Sequence, residues 1–337
     1  MTAKRYKNED YSFVCGYIAS RDKYLLTQER IDRMLESKTA DDALRILLEM
    51  NYGEEIESIS PIEFEAILSG ELEKAYSFVL PFVPDRSYFE MFLYPGDYHN
   101  IKTLLKAESL GIEADELLME TGTIPAADLK DLVRERNYDD MRDIMADGMK
   151  DALEEYSLSH DPQCIDLILD KACYKDMSLL VSGLNSDFIK EYMALRIDLI
   201  NLTTFIRIRE MGKPPGFYSK GFVEGGNIPE QVFEDGFEEH VEQFAERLDN
   251  YGLHDVLIKS AKMIRETGRI TVLEKLCDNY LMEYLKQAKY ITYGIEPLIA
   301  YIAARENEIK TVRIIMAGKL AGISPDLLRE RVREPYA

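Results

Sequence analysis

The chain has 337 residues, 46% hydrophobic and 31% charged, a composition that excludes a disordered chain and predicts a globular protein. Its 41 basic and 62 acidic residues give a net charge of −21, which repels nucleic acid and anionic lipid, so no nucleic-acid partner is expected. Two readings of this acidity stay open: it keeps the protein soluble, or it marks a face that meets a basic partner.

No uncharged run approaches the roughly 20 apolar residues that a bilayer span needs, so direct bilayer insertion is not expected. Residues 1–13 lack the apolar stretch of a secretory signal, and a cytoplasmic location is predicted. The cysteines have no C-x-x-C spacing, which argues against a zinc knuckle or a redox pair. Buried free thiols are expected instead at Cys15, Cys164, Cys173 and Cys277.

The first well-marked helix is predicted in residues 38–53. Thr39 is a suitable N-cap, and Asp41 and Asp42 follow at the positive end of the helix dipole. One apolar face would hold Leu44, Leu47 and Leu48, and Gly53 would end the helix.

A second helix start is predicted at Ser60. Pro61 suits the first helical position, and Glu63 completes a capping box with the serine. Helical apolar spacing recurs over 188–211, 234–250 and 270–290, and no stretch alternates polar with apolar residues as a strand would. The predicted fold class is therefore all-α.

Three segments about a hundred residues apart resemble one another: 97–112, 198–213 and 305–323. When they are aligned on Asn100, Asn201 and Glu308, an aliphatic residue follows in each, and a threonine stands two positions after it. A glycine arrives later in each segment, one position early in the last. These glycines are Gly111, Gly212 and Gly318.

A second pattern, Gly-x-x-Pro, occurs three times, and an amphipathic turn follows each copy. The prolines are Pro125, Pro229 and Pro325. Their separations, 229 − 125 = 104 and 325 − 229 = 96 residues, match the spacing of the first pattern. Two patterns with one period predict an internal triplication, although both are also ordinary helix punctuation in an all-helical chain.

The predicted lobes are residues 1–113, 114–213 and 214–337, each a small helical bundle of about 100 residues. The last begins with a linker at 214–230, within a glycine- and proline-rich stretch that reads as a linker, a functional loop or a surface excursion. Three tandem units form either an open superhelix or a closed pseudo-threefold ring, and a ring would have a central opening suited to a shaft.

The sequence contains no recognisable catalytic motif. The four histidines stand in no zinc-binding pattern, and no phosphate-binding, dinucleotide-binding or nucleophile motif is present. Carboxylate clusters occur beside basic residues at helical spacing, as on a solvated face. We predict no catalytic, cofactor-binding or metal-binding residue and a protein that is not an enzyme, while a site assembled from dispersed residues stays possible in principle.

Basic residues mark the last long helix. Arg305, Arg313 and Lys319 share it with an apolar face, and Arg313 interrupts that face. Two interpretations stay open: an ion pair between lobes, or a contact with a partner protein.

The C-terminal segment, 301–337, contains a distinctive set of residues: Arg305, Glu306, Asn307, Glu308, Ile309, Arg313, Gly318, Lys319, Leu320, Gly322 and Pro325. On these residues the segment is similar to the C-terminal signature of the C subunit of the archaeal and bacterial V/A-type ATPases, equivalent to the d subunit in eukaryotes. The opening segment, 11–35, resembles the start of that family more loosely.

The resemblance implies a three-lobed, all-helical, pseudo-threefold funnel without catalysis or cofactor. One copy per complex would sit on the membrane proteolipid ring, with the central shaft subunits in its mouth, at the cytoplasmic face of the plasma membrane. It would couple shaft to ring for ATP-linked proton or sodium transport; the alternative is an acidic helical scaffold or adaptor in another assembly. The partner-contact or inter-lobe candidates are Arg305, Glu306, Glu308, Arg313 and Lys319.

Overall fold

A computed structural model describes residues 7–21, 25–53 and 60–337 of the chain. Over these residues it contains helices and turns and no β-strand, which confirms the all-α fold class. The chain divides into two compact units, one made of residues 1–86 and 252–337 and the other of residues 87–251. The three lobes divided at 113 and 213 stay a prediction.

The discontinuous unit combines helices from both ends of the chain. In the described residues these are α1 (Ser12–Ala19), α2 (Gln28–Glu36), α3 (Ala40–Leu48), α4 (Phe64–Val79), α13 (His254–Thr267), α14 (Thr271–Leu285), α15 (Glu296–Leu320) and α16 (Pro325–Arg329).

Helix starts in this unit follow the predicted caps. The Thr39 hydroxyl accepts the Asp42 N–H at the start of α3, and Ser60 with Glu63 forms the predicted capping box. The predicted end of α3 was wrong, because the helix stops at Leu48 and the chain turns through Asn51 at φ 64° before Gly53. Leu48 is exposed and does not belong to the buried face.

Helix α15 runs through the core of this unit. It packs against α1, α3, α4 and α14, and its buried side chains occur all around the helix. One apolar cluster joins it to α2, α3 and α4 through Ile309, Val312, Ile315 and Met316. A helix covered on every side also buries its polar residues, and Arg305 and Glu308 are among them.

The continuous unit contains α5 (Ser87–Leu110), α6 (Ala126–Glu135), α7 (Asp143–Ser159), α8 (Gln163–Ser182), α9 (Asp187–Glu210), α10 (Pro215–Gly221), α11 (Glu230–Asp235) and α12 (Val241–Leu248). Helix α8 packs against α5, α7 and α9.

The stretch at 214–230 is packed. It contains α10, and the side chains of Tyr218, Phe222, Val223 and Ile228 are buried. The Phe205 ring of α9 lies 5.4 Å from the Tyr218 ring and 4.5 Å from the Phe244 ring, so an aromatic cluster fixes this segment to the helix before it.

The three long helices α5, α9 and α15 end in the same way. Gly111, Gly212 and Gly322 adopt φ 65°, 64° and 68°, and in each case the next residue donates its N–H to the carbonyl five positions earlier. This is the Schellman ending, which needs a left-handed residue. The aligned sequences predicted that Gly318 would be the third glycine of this set. That prediction was wrong, because Gly322 ends the third helix.

Gly318 lies inside α15 for a packing reason. A Cβ atom there would stand 2.1 Å from Leu328 Cδ2, so the glycine lets the buried Leu328 approach the helix. Gly322 is also the first residue of the third Gly-x-x-Pro pattern. The loop that separates these two features in the first two repeats is therefore absent from the third.

The prolines of that pattern all stand at helix starts. Proline in such a pattern is expected at the first helical position. Pro325 stands there in α16, whereas Pro125 and Pro229 lie one position earlier, immediately before α6 and α11.

Candidate functional site: contacts made by the three long helices

A buried asparagine on each of the first two long helices binds the backbone of a later loop. Asn100 donates to the Met119 carbonyl at 2.8 Å and accepts the Met119 N–H at 2.8 Å. Asn201 does the same with Val223, at 2.8 and 2.9 Å. The amide side chain suits this task, because it offers one donor and one acceptor to a peptide group with the same needs.

An aspartate one turn earlier on each helix binds the Gly-x-x-Pro segment. The Asp97 carboxylate accepts the N–H groups of Thr123 and Ile124 at 2.8 and 3.1 Å. The Asp198 carboxylate accepts those of Asn227 and Ile228 at 3.0 and 2.9 Å. Each carboxylate thus sits just before the helix that follows the Gly-x-x-Pro segment, α6 for Asp97 and α11 for Asp198.

These contacts explain the glycine of the Gly-x-x-Pro pattern. A Cβ atom at Gly122 would stand 2.3 Å from the Asp97 carboxylate, and one at Gly226 would stand 2.2 Å from the Asp198 carboxylate. Only glycine leaves room for the carboxylate to reach the two N–H groups.

The third long helix has Arg305 and Glu308 at the corresponding positions. The Glu308 carboxylate accepts the backbone N–H of Leu26, the Tyr52 hydroxyl at 3.0 Å and Arg305 Nη1 at 2.7 Å. Arg305 Nη2 binds the Glu71 carboxylate at 2.9 Å. In the first two repeats the long helix therefore contacts the loop that follows it. In the last repeat the equivalent position of the long helix contacts the N-terminal part of the chain instead.

The entry to α16 needs no carboxylate from the long helix. The Ser324 hydroxyl accepts the Leu327 N–H at 3.4 Å and caps α16 itself. This local cap replaces the contact that Asp97 and Asp198 make in the first two repeats.

The two aspartates at the equivalent positions 97 and 198 have different surroundings, and position 305 carries an arginine instead. Asp97 is paired with Arg142, whose Nη2 lies 3.2 Å from its carboxylate, and the same guanidinium binds Asp176 and covers the Tyr94 ring at 3.8 Å. Asp198 has no cation within 4 Å among the described residues, and burial raises its pKa to about 6 although the Ile228 and Asn227 N–H groups oppose the shift.

The cluster at Arg305 is a buried set of one cation and two carboxylates. Burial raises the pKa of Glu308, and Arg305 and the Leu26 N–H oppose that shift. Burial acts most strongly and would lower the pKa of Arg305, but Glu308, Tyr52, Tyr301 and Glu71 together outweigh it and raise that pKa above its ordinary value. Buried charges of this kind are tolerated because each is paired and hydrogen-bonded.

The other three candidates from the sequence also contact the N-terminal segment. Glu306 accepts the Tyr76 hydroxyl at 3.0 Å, and Arg313 binds Glu65 at 2.8 Å across a solvent-exposed pair. Lys319 donates to the carbonyls of Leu35 and Ser37 at the end of α2. All five candidates thus bind residues 26–76 of their own chain. Their contact with another protein of a complex stays a prediction.

The residues that complete these contacts were not among the candidates predicted from the sequence. Asp97 and Asp198 stand three positions before the aligned asparagines, so the repeated D-x-x-N spacing was visible as a signal. Tyr52 and Glu71 left no such signal, because their partners are more than 200 positions away.

Metal sites and membrane spans are absent from the described part of the chain. Over residues 7–21, 25–53 and 60–337, no group of three or more His, Cys, Asp or Glu side chains could hold a metal ion. All four cysteines are free, and they are buried except for the half-buried Cys164. No helix within these ranges is long and apolar enough to cross a bilayer.

Comparison with known proteins identifies the family to which this chain is similar. Residues 14–331 match the family described as the ATP synthase (C/AC39) subunit. The chain is 26% identical over 327 residues to the C subunit of the V-type sodium ATPase of Enterococcus hirae, covering 97% of this chain and 99% of that protein. It is 24% identical over 342 residues to the C subunit of the A-type ATP synthase of Methanocaldococcus jannaschii, covering 95% and 85%.

A third relative, the C subunit of the A-type ATP synthase of Methanobrevibacter smithii, is 29% identical over 267 residues, which is 72% of this chain and 67% of that protein. The matches confirm the resemblance read from residues 301–337. They also confirm the prediction of a non-catalytic protein, since the C subunit is an accessory component of the rotary complex. The chain therefore belongs to the ATP synthase (C/AC39) subunit family.

Proposed function

We propose that this chain is the central-stalk socket of a V/A-type rotary ATPase. It would join the rotating shaft to the membrane proteolipid ring and transmit torque for ATP-linked proton or sodium transport. One copy would sit at the cytoplasmic face of the plasma membrane, without entering the bilayer.

The contact between Glu308 and Leu26 is the observation that carries this proposal. In the first two repeats the long helix binds a loop that follows it, and in the last repeat the long helix binds the start of the chain. The two ends of the chain thus fold into one compact unit, which favours a closed set of three over an open superhelix. A closed set has an axis, and an axial opening suits a shaft.

The buried polar character of these contacts supports the proposal that the chain is a rigid coupler. Asn100, Asn201 and Glu308 are all buried, and each bonds to backbone of another segment, so separating the segments would leave buried polar groups unsatisfied. A part that transmits torque passively must resist such separation.

Charge supports the choice of partners. The net charge of −21 would attract basic surfaces on the shaft or on the loops of the ring, and would favour fast, oriented assembly over raw affinity. Such contacts should weaken with salt, because the Debye length is about 8 Å near 0.15 M.

The alternative is an acidic all-helical scaffold or adaptor in another assembly. It explains the repeats and the acidity but not the family match over residues 14–331. The socket is therefore the better supported function.

Capture and coupling together test this proposal. The full-length chain is immobilised and offered the purified shaft subunits and the detergent-solubilised ring, each alone and then together. A socket captures each one separately, and the shaft recovers with the ring only when the chain is present. A scaffold of another assembly captures neither.

The coupling arm removes the whole chain from the complex and adds it back. We expect the soluble motor to keep its ATP hydrolysis, ion transport to be lost, and transport to return with the full-length chain. Loss of hydrolysis by the isolated soluble motor, or transport that persists without the chain, would contradict the proposal.

A further inference from the structure

The loop after the first long helix displays apolar side chains to solvent. Leu110 is 70% exposed, Ile112 57%, Leu117 63% and Met119 39%. Four large apolar side chains exposed within ten residues make this loop a candidate interaction surface.

The backbone of this loop is held in place. The Leu117 carbonyl lies 3.3 Å from His99 Nε2, and both polar groups of the Met119 backbone are bound by Asn100. Lys130 of α6 binds Asp115 and lies 3.7 Å from Glu113. The apolar side chains are thus presented by a fixed backbone, which lowers the entropy cost of binding a partner.

The second repeat provides an internal comparison. Asn201 anchors Val223 with the same pair of hydrogen bonds that Asn100 makes with Met119, yet Val223 is only 3% exposed. Its neighbour Phe222 is buried as well. The anchor therefore does not require an exposed apolar residue, and the third repeat lacks the loop altogether.

The acidic residues beside the exposed apolar side chains indicate which kind of partner would cover them. Glu116 and Glu120 flank Leu117 and Met119, and both carboxylates are exposed without a cation within 4 Å in the described residues. An anionic bilayer surface would be repelled. A second copy docked through the same loop would bring like charges together.

We propose that the loop at residues 110–120, here called the ELLME loop after residues 116–120, docks a segment of another subunit of the rotary complex. That segment presents basic side chains on both sides of an apolar one, so that the two glutamates pair with cations while Leu117 and Met119 are covered. The proposal deepens the proposed function and rests on it only for the choice of complex.

Site-directed photo-cross-linking in the purified intact complex tests this surface. A benzophenone amino acid replaces Leu117, and in a matched control it replaces Leu158, a 75% exposed residue of α7 in the same unit. We expect the first position to give an adduct with another subunit, at a peptide containing Lys or Arg beside an apolar residue, and the second to give at least fivefold less.

A charge-reversal pair sharpens the test. The substitutions Glu116→Lys and Glu120→Lys together should lower the Leu117 adduct at least fivefold, whereas Asp151→Lys with Glu154→Lys, on the exposed side of α7, should leave it unchanged. Circular dichroism of each full-length variant checks that the helices are retained.

Several outcomes would overturn the proposal: no adduct at Leu117, an adduct with lipid or with a second copy of the chain, or an adduct that charge reversal does not change. An adduct with a basic peptide of a subunit other than shaft or ring supports the docking surface while counting against the socket. Loss of coupling without any Leu117 adduct supports the socket and removes the docking surface.

Discussion

Glu308 and Leu26, 282 positions apart, are joined by a hydrogen bond from the Leu26 N–H to the Glu308 carboxylate. The corresponding asparagines reach only 19 and 22 positions along the chain. A carboxylate serves better here because it accepts from three donors at once, the Leu26 N–H, the Tyr52 hydroxyl and Arg305. The long-range contact is therefore built differently from the local ones while occupying the same place on its helix.

Arg305→Met tests the buried charge cluster. The substitution leaves the Glu71 and Glu308 carboxylates without their shared cation, and an uncompensated buried charge costs about 3–5 kcal/mol. We expect the free energy of unfolding to fall by about that amount, measured by urea denaturation of the full chain.

The matched control is Arg313→Met on the same helix. Its ion pair with Glu65 is roughly half exposed on both sides, so its loss should cost about 0–1 kcal/mol. Equal losses in the two variants would mean that the Arg305 cluster contributes no more than a surface pair.

Asn201→Leu tests the amide anchor of the second repeat. Both polar groups of the Val223 backbone would lose their partner, at about 1–3 kcal/mol for each group left unsatisfied. We expect the Val223 amide proton to exchange with solvent faster, measured by hydrogen exchange with NMR or mass spectrometry. Protection at Val223 equal to that of the wild-type chain would show that the side chain does not hold the loop.

Asp198 should make stability depend on pH. Its pKa is about 6 in the folded chain, against 3.8 for the unfolded reference, so the folded state binds more protons between these values. Stability from this group is therefore present below about pH 4 and is lost as pH rises to about 6. A shift of this size corresponds to about 3 kcal/mol.

The measurement compares wild-type chain and Asp198→Asn by urea denaturation at a series of pH values. We expect the wild-type free energy of unfolding to fall by about 3 kcal/mol relative to the variant between pH 4 and pH 7. Glu224→Gln removes an exposed carboxylate from the same segment and controls for the loss of one charge. A constant difference between wild type and Asp198→Asn would refute the shift.

Gly318→Ala tests the close approach of α16 to α15. The added methyl group would overlap Leu328, which is buried and has little room to move, so overpacking should cost about 1–3 kcal/mol. Gly70→Ala, inside α4 with no atom within 4 Å of the new methyl group, should instead stabilise the chain by about 0.5–1 kcal/mol. Thermal denaturation of both variants separates the two effects.

Local features of this fold were readable from the sequence because their causes are local. The Thr39 cap, the Ser60–Glu63 box and the helical class depend on residues a few positions apart. The repeat alignment also placed Asn100, Asn201 and Glu308 at equivalent positions, and the first two bind backbone in the same way.

Features that depend on tertiary neighbours were missed. Gly318 looked like a helix end because glycine serves both as a C-cap and as a close-packing residue, and only the position of Leu328 distinguishes the two. The sequence likewise showed Arg313 interrupting an apolar face but could not show that it pairs outward with Glu65.

The discontinuous unit also has a consequence for synthesis. Residues 87–251 emerge together, whereas residues 1–86 must wait for 252–337, because α15 supplies much of their core and the partners of Leu26, Tyr52 and Glu71. From residue 86 to the end of α15 at Leu320 the ribosome adds 320 − 86 = 234 residues, which takes roughly 10–50 seconds at about 5–20 residues per second. The nascent N-terminal helices therefore expose their apolar faces during this interval, when such surface is prone to aggregate.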